Sequence, residues 1–272
     1  MQLSSLIART PSACLIACAV ATFAHAQQPR PTLDQILSRV EANTEQYKST
    51  VPSFFCDEHI TSQELHNSKL KHETTAEALF RVIRSTSSKD MLEESREVKT
   101  INDKPSSSKK LNMPISFSGV FSGALAKFLS VDRRECFDYQ IDPSPASPGT
   151  EAFTFIAREA TAKQPACVSI QPGTTGKFMV DSTSIQVIHI ERAVPHPVGK
   201  DQTVLGTASV DFAPVTLNGT SFWLPSTVIA FTTETPKTNA FRFTAKYSNY
   251  HRFAASSTIL PATSDSTQPQ SR

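Results

Sequence analysis

The sequence predicts an α+β fold in which a single curved antiparallel β-sheet, an incomplete barrel, packs against an N-terminal helix and an internal helix. Three observations carry this prediction. An apolar stripe at helical spacing occupies residues 32–48, a succession of segments with alternating apolar and polar residues follows, and one segment of helical spacing interrupts it at residues 116–130. Such alternation is typical of antiparallel sheets with one face on a core and the other in water.

The N-terminus predicts export. Residues 1–26 have the pattern of a signal peptide, because Arg9 precedes an apolar stretch at 14–23 and Ala24-His25-Ala26 provides a small-x-small cleavage site. The stretch is shorter than the roughly 20 apolar residues that span a bilayer, so we expect no transmembrane span in the mature chain. An alternative stays open: the sequence LIAC at 15–18 resembles a lipobox, which would anchor the chain through a lipid on Cys18.

The chain beyond the signal peptide is predicted to be one β-rich domain with an N-terminal helix over residues 27–254, followed by a disordered tail at 255–272 that is rich in Ser, Thr, Pro and Gln. The helix begins at Thr32, which can cap it, and Gln35 completes a capping-box pattern. Pro52 prevents its continuation. We expect the helix to bury a stripe formed by Leu33, Ile36, Leu37, Val40 and Tyr47.

Strands are predicted where the apolar period changes to two. They cover residues 77–84, 91–101, 136–141, 152–159, 177–180, 185–194, 204–215, 222–233 and 240–250. Asn218-Gly219 is the strongest hairpin signal in the chain. The predicted internal helix at 116–130 carries an aromatic stripe, but Gly119 and Gly123 weaken it by roughly 1 kcal/mol each relative to alanine.

The cysteines fit an oxidising compartment. Of 5 Cys, Cys14 and Cys18 would leave with the signal peptide. We predict a disulfide between Cys136 and Cys167, since each lies beside a predicted strand and the segment between them has the pattern of a strand pair. Cys56 would then be a small buried apolar residue.

Five short motifs resemble the periplasmic lipoprotein-carrier (LolA/LolB-like) fold of outer-membrane lipoprotein-sorting proteins. They are VPSFF at 51–55, GKFMVD at 176–181, IQVIHIER at 185–192, LP at 224–225 and YSNYHRF at 247–253. In that fold an incomplete antiparallel barrel wraps around helices that plug an apolar cavity. The resemblance implies the same arrangement here and a lipid or lipoprotein partner. The chain departs from the family by its Pro/Ser loops and its predicted disulfide.

Enzymatic and nucleic-acid functions find little support. The net charge of +2 does not predict a nucleic-acid partner, and no nucleotide-binding glycine motif or G-x-S-x-G elbow occurs. We predict no catalytic residue, cofactor or metal site. The cluster Cys56, His59, His66 and His72 is interpreted as structural, because alternation places Cys56 and His59 on opposite faces. The carboxylate pairs at 57–58 and 93–94 are interpreted as solvated.

The functional hypothesis is a non-enzymatic binder of an apolar ligand, either an acyl chain or a lipoprotein, in the periplasm or cell envelope. The candidate ligand-binding residues are the aromatics expected on the inner face, namely Phe80, Phe155, Phe241 and Phe243 from strands and Phe121 and Phe128 from the internal helix. Two alternatives stay open: an envelope interaction protein with a filled core, and a secreted hydrolase using His189 or His251. The sequence sets no expectation for the oligomeric state.

Overall fold

The computed structural model describes residues 31–85, 92–106, 113, 115–144, 147–198, 202–233 and 239–253. The predicted signal peptide with Ala26, the lipobox with Cys18, and the predicted tail at 255–272 lie outside this range. Within it, no helix is long and apolar enough to cross a membrane.

The described chain contains three α-helices and eleven strands in one sheet. The helices are α1 (Leu33–Thr50), α2 (Val120–Gly123) and α3 (Ala126–Leu129). The strands are β1 (Phe54–His66), β2 (Lys69–Arg84), β3 (Leu92–Ile101), β4 (Lys104–Pro105), β5 (Phe137–Ile141), β6 (Thr150–Ala157), β7 (Thr175–Asp181), β8 (Val187–Val198), β9 (Gln202–Leu217), β10 (Thr220–Thr233) and β11 (Asn239–Arg252). Every predicted strand is present, and most extend beyond their predicted bounds.

The strand order is β4-β3-β2-β1-β11-β10-β9-β8-β7-β6-β5, and every neighbouring pair is antiparallel. Two meanders, β1–β4 and β5–β11, are therefore joined through the pairing of β1 with β11. The sheet stays open, with β4 and β5 as its edges. The predicted fold class, a curved antiparallel sheet with few helices, is confirmed.

The connection between β4 and β5 has to cross the sheet, because these strands lie at its opposite edges. We call its described part from Ile115 to Leu129 the crossing segment. It lies on the apolar inner face, where the ring of Phe121 packs 5.4 Å from Phe54 and 5.0 Å from Tyr247, measured between ring centroids. The strand order thus requires a long connection between the two edges, and the described part of that connection lies on the apolar face.

Helix α1 begins as predicted. The Thr32 hydroxyl accepts a hydrogen bond from Gln35 N, and the Gln35 side chain accepts one from Thr32 N, which completes the capping box. Ile36, Leu37 and Val40 are buried in the core. At the C-terminus, the Arg84 guanidinium donates to the carbonyl oxygens of Lys48 and Val51, which satisfies acceptors that the helix leaves free.

The internal helix is shorter than predicted. Instead of one helix over 116–130, the chain forms the single turns α2 and α3, followed by a 3-10 turn at Val131–Cys136. Gly119 is in the left-handed conformation with φ of 76°, so α2 cannot extend towards the N-terminus. The predicted apolar face is nevertheless correct, since Phe121, Leu125 and Phe128 are all buried.

The core contains one buried ionic group on the inner face. Glu58 is fully buried, forms a two-bond ion pair with Arg96 and accepts a hydrogen bond of 3.0 Å from the Tyr247 hydroxyl. Burial opposes the charge on Arg96, but hydrogen bonding and charge attraction to Glu58 raise the pKa of the guanidinium. The interpretation of Glu58 as a solvated carboxylate is therefore wrong. Removing either partner would leave a buried charge, at a cost of about 3–5 kcal/mol.

The predicted disulfide is confirmed. Cys136, at the end of the 3-10 turn, is bonded to Cys167 across a sequence separation of 31 residues. Cys56 is a buried free thiol whose pKa is raised by burial.

The disulfide should contribute substantially to stability. Replacing both Cys136 and Cys167 by serine is expected to lower the free energy of unfolding by about 3–4 kcal/mol, because the cross-link restricts a long loop in the unfolded chain. Urea unfolding followed by circular dichroism measures the difference. A reducing agent should shift the wild-type midpoint and leave that of the double variant unchanged; equal midpoints for the oxidised wild type and the double variant would contradict the prediction.

Candidate ligand-binding site

Four of the six candidate aromatics form two clusters on the inner face. The first contains Phe80 and Phe121, whose ring centroids are 5.4 Å apart, and both rings contact Tyr247. The Arg96 guanidinium lies 5.3 Å from the centre of the Phe80 ring. These side chains are buried and packed against each other, so they form a wall and not an open surface.

The second cluster contains Phe128 and Phe155, stacked at 5.5 Å, and both rings contact Phe137. The ring of Phe155 lies directly against the backbone of Gly176 on β7. A Cβ at that glycine would overlap the Phe155 ring and the Glu191 carbonyl oxygen. A glycine is therefore required there for a close approach of ring and backbone.

The two remaining candidates lie on β11. Phe243 is fully buried, with its ring 6.4 Å from that of Phe117. Phe241, two residues earlier on the same face, is only half-buried. The structure thus brings together Phe80 with Phe121, Phe128 with Phe155, and Phe243 with Phe117, but does not gather all six candidates around one site.

A cavity of about 250 Å³ lies between the crossing segment and strands β8 and β9; we call it the inner cavity. Its apolar lining comes from Phe117, Ala124, Phe128, Ile190, Ala208 and Val210. Of the sequence candidates, only Phe128 contributes to this lining. Apolar side chains therefore contribute to both its floor and its roof, beside the polar residues Ser118, Lys127, Glu191 and Arg192.

Two cations line the same cavity. The Arg192 guanidinium lies 5.7 Å from the ring centre of Phe117 and 5.3 Å from that of Phe128. Lys127 lies on α3 beside Phe128. Sequence reasoning missed both, although one signal was present: Arg192 is two residues after the buried Ile190 and so shares the apolar face of β8.

The roof of the cavity is fixed by side chains from β3. Four consecutive backbone N–H groups, from Gly119 to Ser122, donate to the Glu94 carboxylate at 2.6–3.2 Å. Arg96 also donates to the Phe117 carbonyl oxygen at 3.3 Å. Glu94 thus neutralises the N-terminus of α2 from a neighbouring element, and its interpretation as a solvated carboxylate is wrong.

A second cavity, of about 400 Å³, lies beside α1 and the β9–β10 hairpin. Its lining is more polar and includes Asn43, Gln186 and Trp223, the single tryptophan of the sequence. The Thr44 hydroxyl at this cavity is buried and has no hydrogen-bond partner.

The described residues hold no cluster of three metal-ligating side chains. Cys56 is buried, whereas His59 is exposed on the other face and lies 2.6 Å from Glu77. His189 Nδ1 lies 2.6 Å from Asp211 Oδ1, so a carboxylate orients this ring. In the described part of the chain, no serine hydroxyl forms a hydrogen bond with that histidine.

Glu94 should control the order of the crossing segment. Glu94→Gln is expected to accelerate amide hydrogen exchange at residues 119–122 by roughly 10–100-fold, because charge-assisted hydrogen bonds of about 1.5–3 kcal/mol are weakened. Hydrogen exchange read by mass spectrometry measures this. Glu93→Gln, an exposed neighbour on the same strand, is the control and should leave exchange unchanged. Equal protection in both variants would show that Glu94 does not hold the segment.

Comparison with known proteins gives structural neighbours only. No protein-family model and no curated protein matches the chain significantly. Among solved structures, a LolA superfamily protein from Nitrosomonas europaea superimposes with a TM-score of 0.36 and 6% identity, covering 81% of this chain and 94% of its own. A DUF1329 family protein from Desulfovibrio piger gives 0.37 and 11%, with coverages of 82% and 94%. The fold class itself rests on the strand order described above.

Proposed function

We propose that this chain is an exported envelope protein that binds an apolar ligand, an acyl chain or the acyl part of a lipoprotein, and does so without catalysing a reaction. The observation that carries the proposal is the apolar inner cavity beneath the crossing segment. A cavity with apolar walls and a few polar groups at one side is the usual form of a small-ligand site.

The size of the cavity indicates how a ligand would fit. At about 250 Å³ it lies just below the range of roughly 300–1,000 Å³ that is typical of ligand pockets. A short chain fits the cavity as it stands, and a longer one requires the crossing segment to move. The crossing segment can move more easily than a long helix, because it consists of two single turns and its α2 end is held by hydrogen bonds to the Glu94 carboxylate.

The aromatic candidates have different roles in this proposal. Phe128 and Phe117 would contact the ligand directly, since both line the cavity. Phe243, Phe80, Phe121 and Phe155 would form the walls behind them and set the volume. Phe241 would extend the apolar surface along β11.

The proposed compartment follows from the disulfide and the N-terminal sequence. A structural disulfide between Cys136 and Cys167 is typical of extracytoplasmic proteins. We propose cleavage after Ala26 and a free mature N-terminus in the periplasm or envelope, with lipidation of Cys18 as the alternative.

A second candidate function is an envelope interaction protein with a filled core. It is favoured by the dense packing of Phe80, Phe121 and Tyr247, which leaves most of the concavity occupied. The two functions differ in whether the purified protein retains a ligand.

The cavity predicts ligand retention. Native mass spectrometry of protein purified gently from the periplasm should detect a bound apolar species. Ala208→Leu should lose it, because Ala208 lines the cavity and a larger side chain fills the space. Each added side chain of this kind also costs about 1–3 kcal/mol of stability through overpacking.

Ala245→Leu is the matched control, because Ala245 is buried on β11 and lines none of the cavities described above. It should share the overpacking cost and keep the ligand. Wild-type protein that is consistently free of ligand, and that fails to take up added decanoate or 1-decanol, would instead favour the interaction protein.

Export makes a separate prediction about processing. The intact mass and N-terminal sequence of protein recovered from the envelope should correspond to a chain that begins at Gln27. A lipid-modified N-terminus at Cys18 would establish the anchored alternative, and an intact Met1 in the cytoplasm would contradict export.

A further inference from the structure

The inner cavity has an unusual charge distribution. Arg192 projects from the inner face of β8, next to the buried Ile190, and its guanidinium is held against the rings of Phe117 and Phe128. A guanidinium over aromatic rings gains a cation–π attraction while its N–H groups stay free to donate elsewhere. The side chain is therefore positioned by apolar contacts and not by an anion.

No carboxylate of the described residues forms an ion pair with this group. In the described part of the chain, neither Arg192 nor Lys127 forms an ion pair, and Lys127 lies close enough to Arg192 and Arg133 to be affected by both charges. Burial and repulsion from these two arginines lower the pKa of Lys127, and burial lowers the pKa of Arg192. Lys127 is exposed, whereas Arg192 is half-buried and has no counter-charge among the described residues, although buried charges in proteins are usually paired.

Glu191 also lines the inner cavity, but neither it nor Glu94 forms an ion pair with Arg192 in the described part of the chain. Glu191 follows the outer face of β8, where its carboxylate is 53% exposed and lies 3.7 Å from His189 Nε2. Glu94, at the other end of the roof, accepts hydrogen bonds from the amides of α2. Neither supplies the missing charge at Arg192.

We propose that the inner cavity binds an amphiphile with one anionic head group, such as a carboxylate or a phosphate, with the head group at Arg192 and Lys127 and the apolar tail between Phe117, Phe128 and Val210. This inference rests on the proposed function and specifies its ligand class. The guanidinium can donate two parallel hydrogen bonds to an oxyanion, and Lys127 adds a second positive charge on the roof.

The test compares decanoate with 1-decanol, which has the same chain and a neutral head, using calorimetric titration of the full mature protein at neutral pH. We expect wild type to bind decanoate at least about tenfold more tightly, as charge-assisted hydrogen bonds imply. Arg192→Gln should abolish most of this preference, because decanoate loses the charge-assisted hydrogen bonds and 1-decanol has none to lose. Lys127→Gln should reduce it less, and Arg192→Lys should retain part of it because the charge remains.

Arg81→Gln is the matched control. Arg81 lies on the outer face of β2 and pairs with Glu97, so its loss should not alter the preference. Inorganic phosphate should bind far more weakly than decanoate, and equal binding would overturn the assignment of an amphiphile. Equal affinity of wild type for decanoate and 1-decanol would overturn the anionic head group and leave the proposed function standing. Binding of neither probe would overturn the proposed function itself.

Discussion

The pairing of β1 with β11 is the constraint on which the rest of the structure depends. It places the first and last strands side by side in the interior of the sheet, with twelve residue pairs and one register shift between Phe55 and Asp57. The strands β4 and β5, which are consecutive in sequence, consequently lie at opposite edges. The chain between them must travel across one face, and the apolar face attracts its stripe of Phe121, Leu125 and Phe128. The roof and the cavity beneath it both follow from this strand order.

A segment that crosses an apolar face cannot leave its backbone polar groups unpaired. Side chains from the sheet and α1 supply the partners. The Ser62 hydroxyl bonds both N and O of Ile115, Arg96 and Glu94 bind the stretch from Phe117 to Ser122, and the hydroxyls of Tyr47 and Tyr139 donate to the carbonyls of Phe121 and Phe128. These polar residues occur on the inner face because irregular chain is buried against them. Glu58 is buried for a related reason. Its ion pair holds Arg96 in the position from which Arg96 donates to the Phe117 carbonyl oxygen.

The local parts of this arrangement could be predicted from sequence and the long-range parts could not. The capping box at Thr32, the turn at Asn218-Gly219 and the alternation along β11 are properties of neighbouring residues. The β1–β11 pairing joins residues far apart, and no local pattern encodes it. The sequence did contain a signal for Glu58, Glu94 and Arg192, because each of these charged residues shares a strand face with buried apolar residues. That signal was outweighed by the expectation that charged side chains are solvated.

The contacts that hold the crossing segment determine how readily it could open and close over the inner cavity. Its hydrogen bonds between neutral groups each contribute only about 0.5–1.5 kcal/mol net, since water replaces them on opening, while those to the Glu94 carboxylate contribute about 1.5–3 kcal/mol. A further cost of opening is the exposure of apolar rings, at about 1.5–3 kcal/mol for a fully buried side chain such as Phe128 and less for the partly buried Phe117. An apolar ligand that takes the place of the sheet against these rings removes most of that cost. Opening would therefore be less unfavourable when an acyl chain is present than in water alone, and this difference is what a binder needs to close over its ligand and later release it.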